Sequence, residues 1–392
     1  MQQLKSRNLF ILTCILLTSN VFSQTTSNPI TTAVPFLMIA PDARGGSMGD
    51  AGVSTSADVY SLFWNPAKYA FAEKDFGVGI GYVPWLRGLV NDIGLASVTG
   101  FKKFGDKQAV AMSLRYFSMG SVTFTNETGQ ELGDVKPNEW AIDATYARKF
   151  SPAFSGAIAG RFIYSNLVPV KYIENVQPGT SIAADISLYY HKALEIKGLT
   201  GAWISFGLDI SNIGSKISYS SVSVNRDFIP TNLRLGPSFT MDIDEYNRMT
   251  IAVDLNKLLV PTPPIYETDS TGKHIVSGKD PNVSPVTGMI QSFYDAPGGF
   301  KEELQEWTIS PAIEYWYNKL FAIRAGYFYE NKNKGNRQFF TIGAGLRYNV
   351  FGLDFSYLVP VKQNNPLQNT MQFTLLFNFD KVENKDKQQS TQ

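Results

Sequence analysis

Between Asn369 and Phe379 the side chains alternate in character. Met371, Phe373, Leu375, Phe377 and Phe379 take one phase; Thr370, Gln372, Thr374 and Asn378 take the other, with Leu376 the exception. Successive side chains of a strand point to opposite faces, so this pattern predicts a strand with one apolar and one polar face. The same period of two predicts strands near 76–84, 91–101, 108–118, 139–149, 154–164, 181–191, 202–212, 232–241, 248–256, 306–316, 320–330, 338–348, 352–361 and 369–379. Each has about ten residues, the length a tilted strand needs to cross a bilayer. The fold class expected is all-β: a transmembrane antiparallel β-barrel of about fourteen strands, with an N-terminal plug segment in the lumen.

Charge tests the phase independently. Arg115, Asp143, Arg161, Asp185, Asp209, Arg234, Asp254, Glu314, Arg324, Arg347 and Asp354 all fall on the non-apolar phase. A basic side chain on the lipid face at the midplane costs roughly 2–4 kcal/mol, whereas one facing the lumen is hydrated or paired. A soluble sandwich would instead carry lysine on its solvent phase, and no lysine lies well inside these segments. Links after even-numbered strands are short (102–107, 150–153, 242–247, 317–319). Most of those after odd-numbered strands are long (119–138, 165–180, 213–231 and 257–305). That asymmetry matches short periplasmic turns and long extracellular loops, and it predicts both termini on the periplasmic side. Fourteen strands at ~4.8 Å spacing and ~40° tilt close at a diameter of roughly 28 Å, wide enough for a plug.

The segment 24–75 lacks strand alternation. It holds Pro41-Asp42-Ala43-Arg44-Gly45-Gly46-Ser47-Met48-Gly49-Asp50-Ala51-Gly52 and then Phe63-Trp64-Asn65-Pro66-Ala67. Its mixture of apolar and polar groups suits a plug that satisfies its backbone inside the lumen. Arg44, Gly45, Gly46, Gly49, Trp64, Asn65 and Pro66 are its candidate determinants, the glycines being read as a tight turn. The barrel is expected over 76–379 and a polar periplasmic tail over 380–392.

Composition adds three constraints. Lys5 and Arg7, the apolar run Leu9 to Leu17 and Val21-Phe22-Ser23 form a secretory signal peptide over 1–23. The single cysteine, Cys14, lies within it, so the mature chain has no thiol chemistry. Without Lys5 and Arg7, 33 basic residues face 34 acidic ones, which gives nucleic acid no basic footprint. A mean hydropathy of −0.11 does not argue against a barrel, whose alternating strands never register as hydrophobic windows. The 27 Phe, 19 Tyr and 6 Trp suit aromatic girdles.

Chemical motifs are weak. Gly45-Gly46-Ser47-Met48-Gly49 matches G-x-S-x-G, but that elbow needs a strand, a helix and a positioned histidine. The two histidines are His191, at an expected strand end, and His274, in the longest loop. A lipid hydrolase would rest on Ser47 alone. Gly46, Gly49 and Gly52 are not followed by Gly-Lys-Ser/Thr, so a nucleotide site is not indicated. Asp242, Asp244 and Glu245 share one turn and read as a solvated acidic turn before a calcium site. No metal or cofactor is expected. Pro237 and Pro311 lie inside expected strands on the apolar phase, marking either an accommodated bend or a lateral opening.

The 257–305 connection exceeds ordinary loop lengths. A short helix is expected from Phe300. Phe293, Tyr294, Asp295, Pro297 and Phe300, with Trp85 from the first loop, are candidate partner anchors; a self-packed lid over the mouth is the alternative.

Three segments carry a family resemblance: Ala33-Val34-Pro35-Phe36-Leu37-Met38-Ile39-Ala40-Pro41-Asp42-Ala43-Arg44, Trp64-Asn65-Pro66-Ala67-Lys68-Tyr69 and Asp295-Ala296-Pro297-Gly298-Gly299-Phe300-Lys301-Glu302-Glu303. Together they resemble the PorV family of the type IX secretion system in Bacteroidetes, itself related to FadL-type transporters. The resemblance runs from about Ala33 to Phe379. It implies a non-enzymatic outer-membrane protein that docks on the translocon barrel SprA and accepts cargo proteins through their C-terminal secretion domain. It further implies delivery of that cargo to an attachment complex containing the sortase-like PorU, in contact with membrane lipid and lipopolysaccharide. The alternative is a FadL-like channel for hydrophobic small molecules.

Overall fold

A computed structural model describes residues 27–380, apart from 89, 168–174, 223–225, 270–271 and 363–364. The signal peptide expected over 1–23 and the tail after Asp380 lie outside the described residues. Fourteen strands form one closed antiparallel barrel, each paired with its neighbours in chain order. The first strand, Phe76–Pro84, pairs with the last, Met371–Phe379, from Phe76↔Phe379 to Tyr82↔Phe373. Closure leaves no unpaired edge, the condition for a sheet in hydrocarbon, where an unsatisfied peptide group costs several kcal/mol.

The period of two sets the faces as expected. In Gly179–Leu194, Ser181, Ala183, Asp185 and Ser187 are buried, while Ile182 is 70% and Ile186 49% exposed on the outer wall. The inward phase buries Arg115, Asp143, Arg161, Asp209, Arg234, Asp254, Glu314, Arg324 and Asp354 in the same way. Outward-facing aromatics meet at the rim bearing the short turns: Phe76–Phe379 at 5.6 Å, Phe150–Phe154 at 6.0 Å and Tyr246–Tyr317 at 6.5 Å between ring centres. Amphipathic rings at that level match the interfacial girdle of outer-membrane barrels.

Both prolines face outward. Strand Asn232–Asp242 loses its rungs to Asn247–Leu258 between Leu235↔Leu255 and Ser238↔Ala252, around Pro237, and then resumes the same register. Thr308–Tyr317 does likewise against Phe321–Tyr329, between Ile309↔Tyr329 and Ala312↔Gly326, around Pro311. Each proline removes a ladder donor locally. Pairing survives on both sides of each gap, so the geometry is that of an accommodated bend.

Two hairpins escaped the alternation. Val122–Thr125 pairs with Glu131–Val135, and Ile265–Asp269 with Gly272–Ser277, both in long connections. They are short and lack a buried face, so no hydrophobic period marks them.

The N-terminal end requires a correction. The Asn28 N–H donates to the Asn333 carbonyl and the Ala33 N–H to that of Phe228. Asn333 and Phe228 lie in connections at the long-loop mouth, while the chain enters Phe76 at the short-turn rim. Residues 27–75 therefore traverse the lumen from one mouth to the other. The two described ends lie on opposite sides, against the expectation that both sit on the periplasmic side. An even strand count fixes only the two ends of the barrel, and a luminal segment of this length is free to cross it.

Candidate functional site

The plug is organised around Arg44 and Trp64. Asp42 caps the short helix Ala43–Gly46, accepting from the Gly45 N–H at 2.8 Å, and also accepts from the Trp64 indole at 2.7 Å. A Cβ at Gly45 or Gly52 would overlap the Trp64 ring, and one at Gly46 the Gln372 amide. These three glycines are there for lack of space. Of the expected turn glycines, only Gly49 has positive φ, at 66°. The steric demand was invisible in sequence because Trp64 and Gln372 are distant along the chain.

Arg44 uses all five of its N–H donors. Its Nε and Nη2 bind Glu314 at 2.9 and 2.8 Å, and Nη1 binds Asp58 at 2.8 Å. The remaining two donors reach the Ser56 carbonyl and hydroxyl. Glu314 also accepts from Arg324 at 2.6 Å, and Arg324 from there reaches Asp354 at 2.8 Å, so the plug continues a charge ladder on the barrel wall. Asp254 accepts the N–H groups of Gly52 and Val53, and Asn65 donates to the carbonyls of Val53 and Leu188. Asn65 caps the 3-10 helix Pro66–Phe71, which packs across the short-turn end of the lumen. Sequence reasoning missed Asp58, and it gave Lys68 and the inward-phase Asp254 no part in holding the plug. Lys68 is wholly buried and gives its ammonium to the Gly52 carbonyl at 2.7 Å.

Above this layer, toward the long-loop mouth, lies a cavity of 710 Å³. Phe36, Ile39, Phe117, Phe328, Phe339 and Leu358 supply its apolar wall, and Asp50, Arg234, Glu330 and Arg337 its polar side. Its lining includes the plug itself, Gly46 and Asp50, and the N-terminal residues Pro29 to Thr32.

The long connection covers the same mouth. It carries helices Pro285–Gln291 and Phe300–Gln305, the second at the expected position. Underneath, Lys257 pairs with Glu303 at 3.1 Å and with Glu306; Lys334 pairs with Glu306 at 2.9 Å and Glu302 at 2.5 Å. Outside, Phe293, Tyr294 and Phe300 are exposed, Phe300 by 77%, and Leu304 joins Phe300 one turn along. The connection thus combines a self-packed underside with an apolar outer face. Asp295 and Trp85 are not on that face. Asp295 is buried, accepting from the Thr262 N–H at 3.2 Å, and Trp85 lines the cavity. Pro297 is half-buried, with its carbonyl bound by Ser277. Leu304 was missed, though its spacing from Phe300 carries the signal.

Burial pushes the Asp295 carboxyl up to about 6, with Glu303 and Glu306 adding to the shift and the Thr262 N–H opposing it. A carboxyl held above its unfolded value favours the fold at low pH, and that contribution is lost as pH rises toward the folded pKa. Asp295→Asn is therefore expected to make the connection more protease-resistant than the parent at pH 7.5. The difference should vanish near pH 4, as read by limited proteolysis of the 257–305 region.

The remaining candidates are structurally occupied. Ser47 donates to the Arg44 carbonyl, and His191 is engaged with Ser205 at the short-turn rim. Asp242 binds Arg248, and Asp244 accepts from Tyr246 and Asn247. Among the described residues no group of His, Cys, Asp and Glu is placed to hold a metal ion, and no helix is long and apolar enough to cross a membrane.

The family model described as type IX secretion system protein PorV matches residues 22–265. The chain belongs to the PorV family. Its members are components of type IX secretion, and the closed barrel places this one in an outer membrane. No curated protein matches the chain. Solved structures similar to it include the toluene transporter TodX of Pseudomonas putida, at 11% identity and TM-score 0.47 over 90% of this chain and 98% of that one. The toluene transporter TbuX of Ralstonia pickettii shows 9% identity and TM-score 0.45, covering 87% and 98%. A FadL homologue of Pseudomonas aeruginosa shows 11% identity and TM-score 0.43, covering 91% and 100%.

Proposed function

We propose that this PorV-family barrel is a docking and carrier protein of a Bacteroidetes-type secretion system. Its outer connection engages the translocon barrel SprA and receives cargo through the cargo's C-terminal secretion domain. The loaded carrier then delivers that cargo to the attachment complex containing PorU. The observation that supports this reading is the pairing of a lumen packed shut by residues 41–72 with an exposed apolar face on a rigidly founded connection. A barrel that is filled conducts poorly, whereas exposed aromatics on a structured base are the usual anchors of a protein interface.

Deleting 285–300 tests it. The ion cluster of Lys257, Glu303, Glu306 and Lys334 stays in the chain, so the barrel is expected to assemble while cargo export is lost. Normal export would remove this role from the connection. The second reading, a channel for hydrophobic small molecules, is favoured by one feature, the apolar cavity above the plug. It requires a path past Met48 and Trp64, and a ligand bound in the purified barrel with secretion intact would support it.

A further inference from the structure

The N-terminal residues make an unusual crossing. Asn28 is tied three ways: its N–H to the Asn333 carbonyl at 2.8 Å, and its amide to the Pro263 carbonyl and the Glu302 carboxylate at 3.1 Å each. The next backbone bond is from Ala33 to Phe228. Among the described residues, the span 29–32 between these ties makes no backbone hydrogen bond, yet it lines the 710 Å³ cavity. At its inner end Val34, a β-branched residue, is buried with φ 48°, ψ 49°. That left-handed conformation is a strained one for valine and persists only where surroundings impose it. The strap is therefore pinned at its ends, loosely held between, and strained at the hinge.

The outer pin is shared with the docking connection. Glu302 Oε1 accepts from both Asn28 and Lys334, and Glu302 Oε2 accepts from the Gly298 N–H at 2.6 Å. Glu302 belongs to the one-and-a-half-turn helix that also presents Phe300 and Leu304 outward. A pull on that outer face moves Glu302 with it.

We infer that residues 28–34 are a latched lid over the cavity, and that a protein partner gripping the Phe300/Leu304 face releases the lid by withdrawing Glu302 from Asn28. The coupling rests on the docking reading above; the lid does not. In the docked state the cavity opens toward the cell surface, and in the free barrel it stays covered.

The test places a cysteine at Met38, on the cavity lining, and follows its modification by a membrane-impermeant maleimide, with the parent chain as background. In purified barrel, Asn28→Ala and Glu302→Ala are each expected to speed labelling about tenfold, the shift that losing one or two hydrogen bonds gives. Unchanged rates in both, with heat-modifiability showing intact barrels, would overturn the lid. In intact secreting cells, Phe300→Ser/Leu304→Ser is expected to slow labelling below the otherwise unaltered barrel, and adding Asn28→Ala should restore the fast rate. Equal labelling of the two barrels in cells would overturn the coupling. Co-purification of the translocon with Phe300→Ser/Leu304→Ser is scored separately: its persistence rejects the docking reading and leaves the lid to be judged by Asn28→Ala.

Discussion

Arg44→Met is expected to cost about 3–5 kcal/mol, the penalty for removing one partner from a buried ion cluster. The guanidinium sits in a site 8% exposed, opposite Glu314 at 1%, and each of its donors is taken. Among the described residues, its loss leaves Asp58 without a direct ion-pair partner and Glu314 with Arg324 alone. Because these contacts join plug to wall, the loss should appear as plug release before barrel unfolding. Proteolysis within residues 41–72 and outer-membrane leakage to a large antibiotic should rise together, with heat-modifiability of the barrel retained. Arg44→Lys should fall between the parent and Arg44→Met, because an ammonium cannot reproduce the five-donor fork. Arg44→Met/Asp58→Asn should lose less than Arg44→Met by itself, since the carboxylate left without an ion-pair partner has been neutralised. If the single and double variants are equally destabilised, the pairing with Asp58 does not hold the plug.

The barrel was legible in sequence because one physical rule governs every wall position. Lipid outside and a packed lumen inside force a period of two, and charges such as Asp185 and Arg324 report the inner phase without reference to hydrophobicity. The plug was legible as a departure from that period, but its internal logic was not. Gly45 and Gly52 look like turn residues along the chain, and only the placement of Trp64 between them shows that they clear space for a ring. Asp254 reads as one more inward charge, while its work is to receive two plug N–H groups from residues some two hundred positions earlier. The N-terminal crossing was misjudged for a related reason. Strand parity constrains where the barrel begins and ends, and says nothing about a luminal segment anchored by Asn28 to loops far ahead of it in sequence.

The wall glycines give the second large effect. At three places where the plug backbone comes close to the barrel, the strand residue is glycine: Gly81 against Pro41, Gly207 against Val53, and Gly326 against Met48 and Gly49. A Cβ at Gly326 would overlap the backbone of Met48 and Gly49, which no rotamer change relieves. The same contact is fixed by Thr341, which accepts from the Gly49 N–H at 2.8 Å and donates to the Ser47 carbonyl at 2.9 Å. Gly326→Ala therefore forces the plug away from the wall and breaks both bonds. The expected loss reaches or passes the upper end of the roughly 1–3 kcal/mol that overpacking costs, although only one methyl group is added. Gly160→Ala is the matched control, since a Cβ there meets nothing within 4 Å. Gly326→Ala should assemble as a barrel but leak and expose residues 41–52 to protease, while Gly160→Ala should behave as the parent. A sealed, protease-resistant Gly326→Ala would mean that the plug is seated by its ion pairs and not by close backbone approach. In that case Arg44 and Asp254, and not the glycine rows, would determine whether the lumen stays closed while the outer connection engages a partner.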